Sequence, residues 1–447
     1  MTFEMLKKAL CDAAAKAGVT EYEIYYQTGE DISAETLKDE ISAFSSSVGG
    51  GVCFRCIVNG KMGFASGELL TEQAMEDLVK SAISSAAAID SEDEVFIFPG
   101  SDHYATIEKG EVALLDPFTI RKTALDLQKA TYAASDEVGD GTQCVAVSTT
   151  ASVYFYNSHG LELHNTVGVS GGYAAPVVRR GEEAQSDFEF GVGASYEEMK
   201  DLPAKAVAAA ASKFGAGLVP TGKYDVVFDG KQFRSILSAF SDVFSAKAAQ
   251  KGLSLLAGKE GEVIASPCVT ITDDPMREGC PMQTSFDGEG VATYTKAVVE
   301  KGVLKTLLYD LTTAHKAGRA STGNAQKGSY AAPASISPFQ FSLNAGDCDE
   351  DTLFGAVDTG IYITECKGFH AGANAVTGDF SIESAGFMIR DGKVAEPVKS
   401  FTIAGNFFEL LKQIERVSDT VKWGPPFGFT NFGSPNVLVR QMSVAGK

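Results

Sequence analysis

The chain has 447 residues, 44% hydrophobic and 21% charged, a globular composition that excludes a mostly disordered or collagen-like polypeptide. Its 58 acidic against 38 basic residues give a formal charge of −20 with no Lys/Arg stripe to track a phosphate backbone, so nucleic acid is not an expected partner. The N-terminus MTFEMLKKAL lacks the apolar core of a signal peptide, and no window approaches the roughly twenty apolar residues of a membrane span. A cytoplasmic setting without membrane contact is therefore expected. The length exceeds what one hydrophobic core usually supports, so two domains are expected.

In chain order, residues 3–17 predict an amphipathic helix with Leu6, Leu10, Ala13 and Ala17 at helical spacing and Gly18 to end it. A strand around EYEIYY follows, then a hairpin turning at Asn59-Gly60, a dipeptide that tolerates the positive φ angles of a type I′ turn. Residues 69–89 read as a second helix. A third starts at Asp116-Pro117, where Asp caps orphan amides and Pro fits the first turn, with Ile120, Ala124, Leu127, Ala130 and Ala134 on one side. Residues 142–192 predict strands with a turn at Ser158-His159-Gly160, and an alanine-rich helix follows near 197–215.

The Gly/Pro-bearing segment 215–223 places the domain boundary, giving residues 1–219 and 220–447. Beyond it, KYDVVF reads as a strand leading into a helix with Asp229 and Gln232 at capping-box spacing and Phe233, Ile236, Leu237, Phe240 and Phe244 on its apolar side. Extended segments then dominate, with turns at Asp287-Gly288, Lys301-Gly302 and Asp391-Gly392 and a short helix in YDLTTAHKAGRAS. Local hairpins in both halves predict an α+β class: an N-terminal α/β domain with a mixed or antiparallel sheet, and a mainly antiparallel C-terminal β domain.

Eight irregularly spaced cysteines predict reduced thiols. Cys53 and Cys56 are three apart on a strand-like segment, so they point to opposite faces and read as buried structural thiols. GVSGG at 168–172 matches G-x-S-x-G, but strand-like sequence follows Ser170 where the nucleophile elbow needs a helix, so it reads as a chance match. The span GFHAGANAVTGDFSIESAGFMIRDGK does not fit a P-loop, since Asp379 stands where a phosphate-binding Lys is needed. As a metal site it offers only Cys366, His370 and Asp379, and His103, His159, His164 and His315 lie too far apart in sequence for metal spacing. His370, Asn374, Thr377, Asp379 and Ser381 form a candidate peptide-contacting loop; the alternative is that they cap their own turns.

Across nearly its whole length the chain resembles the TldD/PmbA family, once described as modulators of DNA gyrase. The resemblance rests on GVCFRCIVNGKMGFAS, YNSHGLELHNT, FDGEGVATYTKAVVEKGVLKTLLYDLTTAHKAGRASTGNA and GFHAGANAVTGDFSIESAGFMIRDGKVAEPVKSFTIAGN, in this order. In the TldD branch a helix early in the C-terminal half bears H-E-x-x-x-H, two zinc ligands and a general base, and a cysteine near the C-terminus completes the site. Here the corresponding window reads Leu237, Ser238, Ala239, Phe240, Ser241, Asp242, and no cysteine follows Cys366. The positions read as a degenerate metal site, and the pattern is similar to the metal-free PmbA (TldE) branch. The resemblance implies a non-catalytic subunit with no cofactor of its own, paired with a zinc-bearing TldD-like subunit to cleave or mature unfolded peptides. Two further readings are a hydrolase using Cys366, His370, Asp379 and Asp242, and a self-associating peptide-binding homodimer.

Overall fold

The computed structural model describes residues 1–90, 93–108 and 113–447. Its first helix, Phe3–Lys16, is capped by the Thr2 hydroxyl, and it ends one residue earlier than its pattern suggests. Ala17 becomes the exposed C-cap ahead of Gly18 (φ 73°), and Ala14 joins Leu6, Leu10 and Ala13 on the buried face. The predicted EYEIYY strand is far longer, Tyr22–Leu37, and forms a sixteen-residue arm with Glu40–Val58. Asn59 and Gly60 both take positive φ, as the I′ turn requires, before Lys61–Gly67.

These three strands continue through Gln143–Asn157, Glu162–Ala175 and Glu189–Val192 into a six-stranded antiparallel sheet. Helices Phe3–Lys16, Glu72–Ala86 and Pro117–Ala133 cover one face; Ile24, Phe54 and Cys56 pack beneath the first two, and Ile32, Ala34 and Ala146 beneath the third. The opposite face carries Tyr25, Cys53, Val153 and Phe155, which pack against Phe286 of the C-terminal half. Cys53 and Cys56 therefore point opposite ways, and both are buried because this sheet is covered on both faces. All eight cysteines are free thiols. Ser170 lies inside the strand Glu162–Ala175, its hydroxyl on that of Ser148 at 2.9 Å, with no elbow.

The alanine-rich helix divides into a 3-10 turn, Tyr196–Met199, and a helix, Leu202–Ala211. Pro203 has no N–H to give the carbonyl of residue 199, so the two cannot fuse. The segment 215–223 is not a slack connection. Gly217 exchanges backbone hydrogen bonds with Pro397 and Lys399 (2.9 and 3.0 Å), and Val219 is buried in the C-terminal core.

In the C-terminal half, strands 393–406, 379–390, 359–367, 222–228, 437–445 and 414–417 lie side by side in that order. An extra pairing of Thr402–Ala404 with Ser443–Ala445 joins the first strand to the fifth, making the sheet barrel-like. A second sheet is built around Ile271–Asp273 and Gln340–Leu343. Most neighbours are antiparallel, but Gly222–Phe228 runs parallel to Thr359–Lys367, and Gln340–Leu343 parallel to Asn431–Ser434. The class is α+β. One continuous core runs through Val226, Phe233, Phe240, Phe341, Ile382, Phe407 and Val439.

Candidate functional site

Strand Gly222–Phe228 delivers Asp229 to the start of helix Gly230–Ala239. The Asp229 carboxylate accepts the Lys231 N–H at 2.8 Å, the Tyr362 hydroxyl at 2.6 Å and the Lys422 ammonium at 2.8 Å. Burial works to raise its pKa, but Lys422 and the hydrogen bonds outweigh it and hold it below the ordinary Asp value. The predicted capping box does not form. The Gln232 amide reaches sideways instead, donating to the Thr364 carbonyl (2.8 Å) and accepting the Cys366 N–H (3.0 Å), because the parallel strand Thr359–Lys367 lies beside the helix's first turn.

The same helix carries the degenerate window. Leu237 is fully buried with Ile236, Phe233 and Phe240, and the Phe240 ring stacks on Phe407 with centroids 4.7 Å apart. Ser238 and Asp242 are exposed. The α-helix ends at Ala239 and tightens to a 3-10 turn over Ser241–Phe244, so Asp242 does not continue its register. Zinc needs three or four convergent nitrogen, sulfur or carboxylate donors. Here the window offers an alkyl chain turned inward, a neutral hydroxyl and one carboxylate in solvent. Among the described residues, no three His, Cys, Asp or Glu side chains come together as a metal-holding group. This donor set does not fit zinc.

The loop after Cys366 turns at Gly368 (φ 86°) into one helical turn, Phe369–Gly372. Asn374 accepts the N–H groups of Val376 and Thr377 at 3.0 and 3.2 Å, the Thr377 hydroxyl accepts the Asp379 N–H at 3.3 Å, and Asp379 accepts the Asn406 amide at 2.9 Å. The bonds from Asn406 and Thr377 hold the Asp379 carboxyl below its ordinary pKa. All five loop residues are exposed, and three of them, Asn374, Thr377 and Asp379, fasten their own hairpin. Gly378 (φ 83°) lies on the Phe408 ring, where a Cβ would come within 2.6 Å. Cys366 packs against the core near the Ser384 hydroxyl (3.8 Å), and burial pushes its thiol up to about 12, so it is not a thiolate at neutral pH.

Helix Gly230–Ala239 and strand Thr359–Lys367 form one wall of a cleft of about 760 Å³ whose other wall is residues 186–190 of the N-terminal half. Lys213 spans it, 2.8 Å from Asp187 and 3.0 Å from Glu365, and Lys231 pairs with Glu189. Arg234 donates to the carbonyls of Lys422 and Trp423. Sequence reasoning missed this cleft. Its charged residues carry no motif, and Lys213 lies 152 positions from Glu365.

The Asp287-Gly288 turn proves to be buried. The Asp287 carboxylate accepts N–H groups from Glu289, Val291 and Ala325 at 2.9 to 3.0 Å, yet burial and the neighbouring Glu289 push its pKa up to about 8. Glu289 faces Arg55 (3.9 Å), whose guanidinium is 2.6 Å from Glu23. This charged knot joins the N-terminal sheet to the C-terminal half.

Residues 221–446 match the PmbA/TldA metallopeptidase C-terminal domain and residues 22–86 match PmbA/TldA metallopeptidase domain 1. The chain belongs to the PmbA/TldD family. Metalloprotease PmbA homolog of Haemophilus influenzae is 24% identical, the match covering 97% of this chain and 94% of that protein. TM0727 of Thermotoga maritima, which carries the DNA gyrase modulator name, superposes with a TM-score of 0.88 at 28% identity over 99% of this chain and 100% of its own. TldE from Thermococcus kodakarensis shares the fold, with a TM-score of 0.89 at 22% identity over 99% of this chain and 100% of its own. PmbA/TldD membership places the chain in a peptidase family. None of the described helices is long and apolar enough to cross a membrane.

Proposed function

We propose that this chain is the non-catalytic, peptide-binding subunit of a two-component TldD/PmbA-type metallopeptidase. In this reading a TldD-like partner holds the zinc and hydrolyses unfolded peptides in a cytoplasmic setting. The observation that carries the proposal is the window on helix Gly230–Ala239: Leu237 is core, Ser238 and Asp242 are solvent-facing, and among the described residues no three His, Cys, Asp or Glu side chains gather as a metal-holding group. The cleft supplies the binding role. Its Lys213, Lys231 and Arg234 lie among Asp187, Glu189 and Glu365, a mixed lining suited to backbone amides and side chains of either sign. The exposed loop groups His370, Asn374, Thr377, Asp379 and Ser381 are the proposed additional peptide contacts, with His370 and Ser381 outside the hairpin's own side-chain hydrogen bonds.

Elemental analysis and a peptidase assay test this reading. The purified chain alone is expected to carry substoichiometric zinc and to leave unfolded peptides uncut, with activity restored by a TldD-like chain. Stoichiometric zinc lost in Asp242→Ala, or chelator-sensitive cleavage abolished by His370→Ala, would overturn it.

A further inference from the structure

The cleft between helix Gly230–Ala239 and residues 186–190 holds one charge that its own walls leave unanswered. Every carboxylate lining it is already matched: Asp187 and Glu365 with Lys213, Glu365 also with Lys367, Glu189 with Lys231, and Asp229 with Lys422. Arg234 lines the same cleft, and among the described residues its guanidinium pairs with no carboxylate. Its Nη1 donates to the Lys422 carbonyl at 3.5 Å and to the Trp423 carbonyl, which pins the group against the strand Lys422–Trp423. Nε and Nη2 have no hydrogen-bond partner among the described residues, and neither is enclosed. A half-buried cation that faces only neutral carbonyls has given up water without gaining an anion. Burial accordingly lowers its pKa from the ordinary Arg value, and Asp229 and Glu189 offset only part of that through space.

We propose that Arg234 is the carboxylate anchor of the cleft, gripping the terminal or a side-chain carboxylate of the peptide that binds there. This rests on the peptide-binding reading above and adds a chemical requirement to it. A guanidinium is a planar fork whose adjacent N–H groups match the two oxygens of a carboxylate, and the Nε and Nη2 edge is the side of the fork left free here. The two carbonyls already fix the group, so little side-chain freedom remains to be lost on binding. Charge favours a carboxylate over a phosphate. One unpaired cation balances a single negative charge, while Asp229 and Glu189, close enough to act on Arg234, repel a second.

Fluorescence anisotropy of labelled, unstructured peptides with the full chain tests this. Three peptides of one sequence are compared: one with a free C-terminus and no acidic side chain, its C-terminally amidated twin, and the amidated twin carrying one central Asp. A carboxylate-bearing peptide is expected to bind about tenfold more tightly than the neutral twin, with the advantage shrinking as salt rises. Which of the two gains tells a terminal from a side-chain carboxylate. Arg234→Met is expected to erase the advantage, and Arg234→Lys, which keeps the charge and loses the fork, to retain part of it, with melting curves showing that both variants fold. Equal binding of all three peptides to the wild type, or an advantage that survives Arg234→Met in full, overturns the anchor and leaves the subunit reading standing. Binding of none of the three overturns both.

Discussion

Of the three six-stranded sheets, the N-terminal one and the barrel-like C-terminal one solve the edge problem differently. The C-terminal sheet bends until Thr402–Ala404 meets Ser443–Ala445, and it encloses one continuous core. The N-terminal sheet is covered on both faces, by helices and by the C-terminal half, and its interior is divided among separate clusters around Phe54, Ile120 and Phe155. Closure concentrates stability inside and leaves little backbone for a partner. An open sheet distributes its stability and keeps an edge available.

Deep truncation in the closed sheet should break this contrast most strongly. Phe240→Ala removes a fully buried ring stacked on Phe407 and should cost about 3–5 kcal/mol, read as a lower urea midpoint for the C-terminal half. The junction between the sheets should respond to pH. Asp287 has a folded pKa raised to about 8, so the folded state holds a proton that the unfolded chain releases near 4. Stability should therefore fall as pH rises from about 4 to about 8, and Asp287→Asn should flatten that slope in urea titrations at pH 5 and pH 8. Asp229 has the opposite sign: its depressed pKa contributes stability above the ordinary Asp range, lost as pH falls through the folded value.

Smaller effects should sharpen the comparison. Asp116→Ala removes the cap that accepts the Phe118 and Thr119 N–H groups, costing about 1 kcal/mol and lowering the thermal midpoint of the N-terminal half first. Val48→Lys should change stability by less than about 0.5 kcal/mol, read as an unchanged thermal midpoint, since its exposed side chain has little packing to lose.

Local signals in the sequence were accurate where local chemistry governs the backbone. Asn59-Gly60, Lys301-Gly302 and Asp391-Gly392 each take the paired positive φ angles of their turns, and Asp116-Pro117 starts a helix. The reading failed where a distant strand competes for a side chain. Gln232 has the spacing to cap its own helix, but a parallel neighbour offers it a carbonyl and an N–H, and Asp287-Gly288 looks like a surface turn until Glu289 and Ala325 enclose it.

Residue identity and short-range periodicity were enough to read the family, the α+β class and the missing donors at Leu237, Ser238 and Asp242. Long-range packing settled what those local signals did not: that Gln232 turns from its own helix to strand Thr359–Lys367, that Asp287 is enclosed by Glu289 and Ala325, and that Lys213 bridges a cleft between Asp187 and Glu365. Burial and ion pairing depend on which distant segments fold onto one another, and a chain read residue by residue carries no marker of that distance.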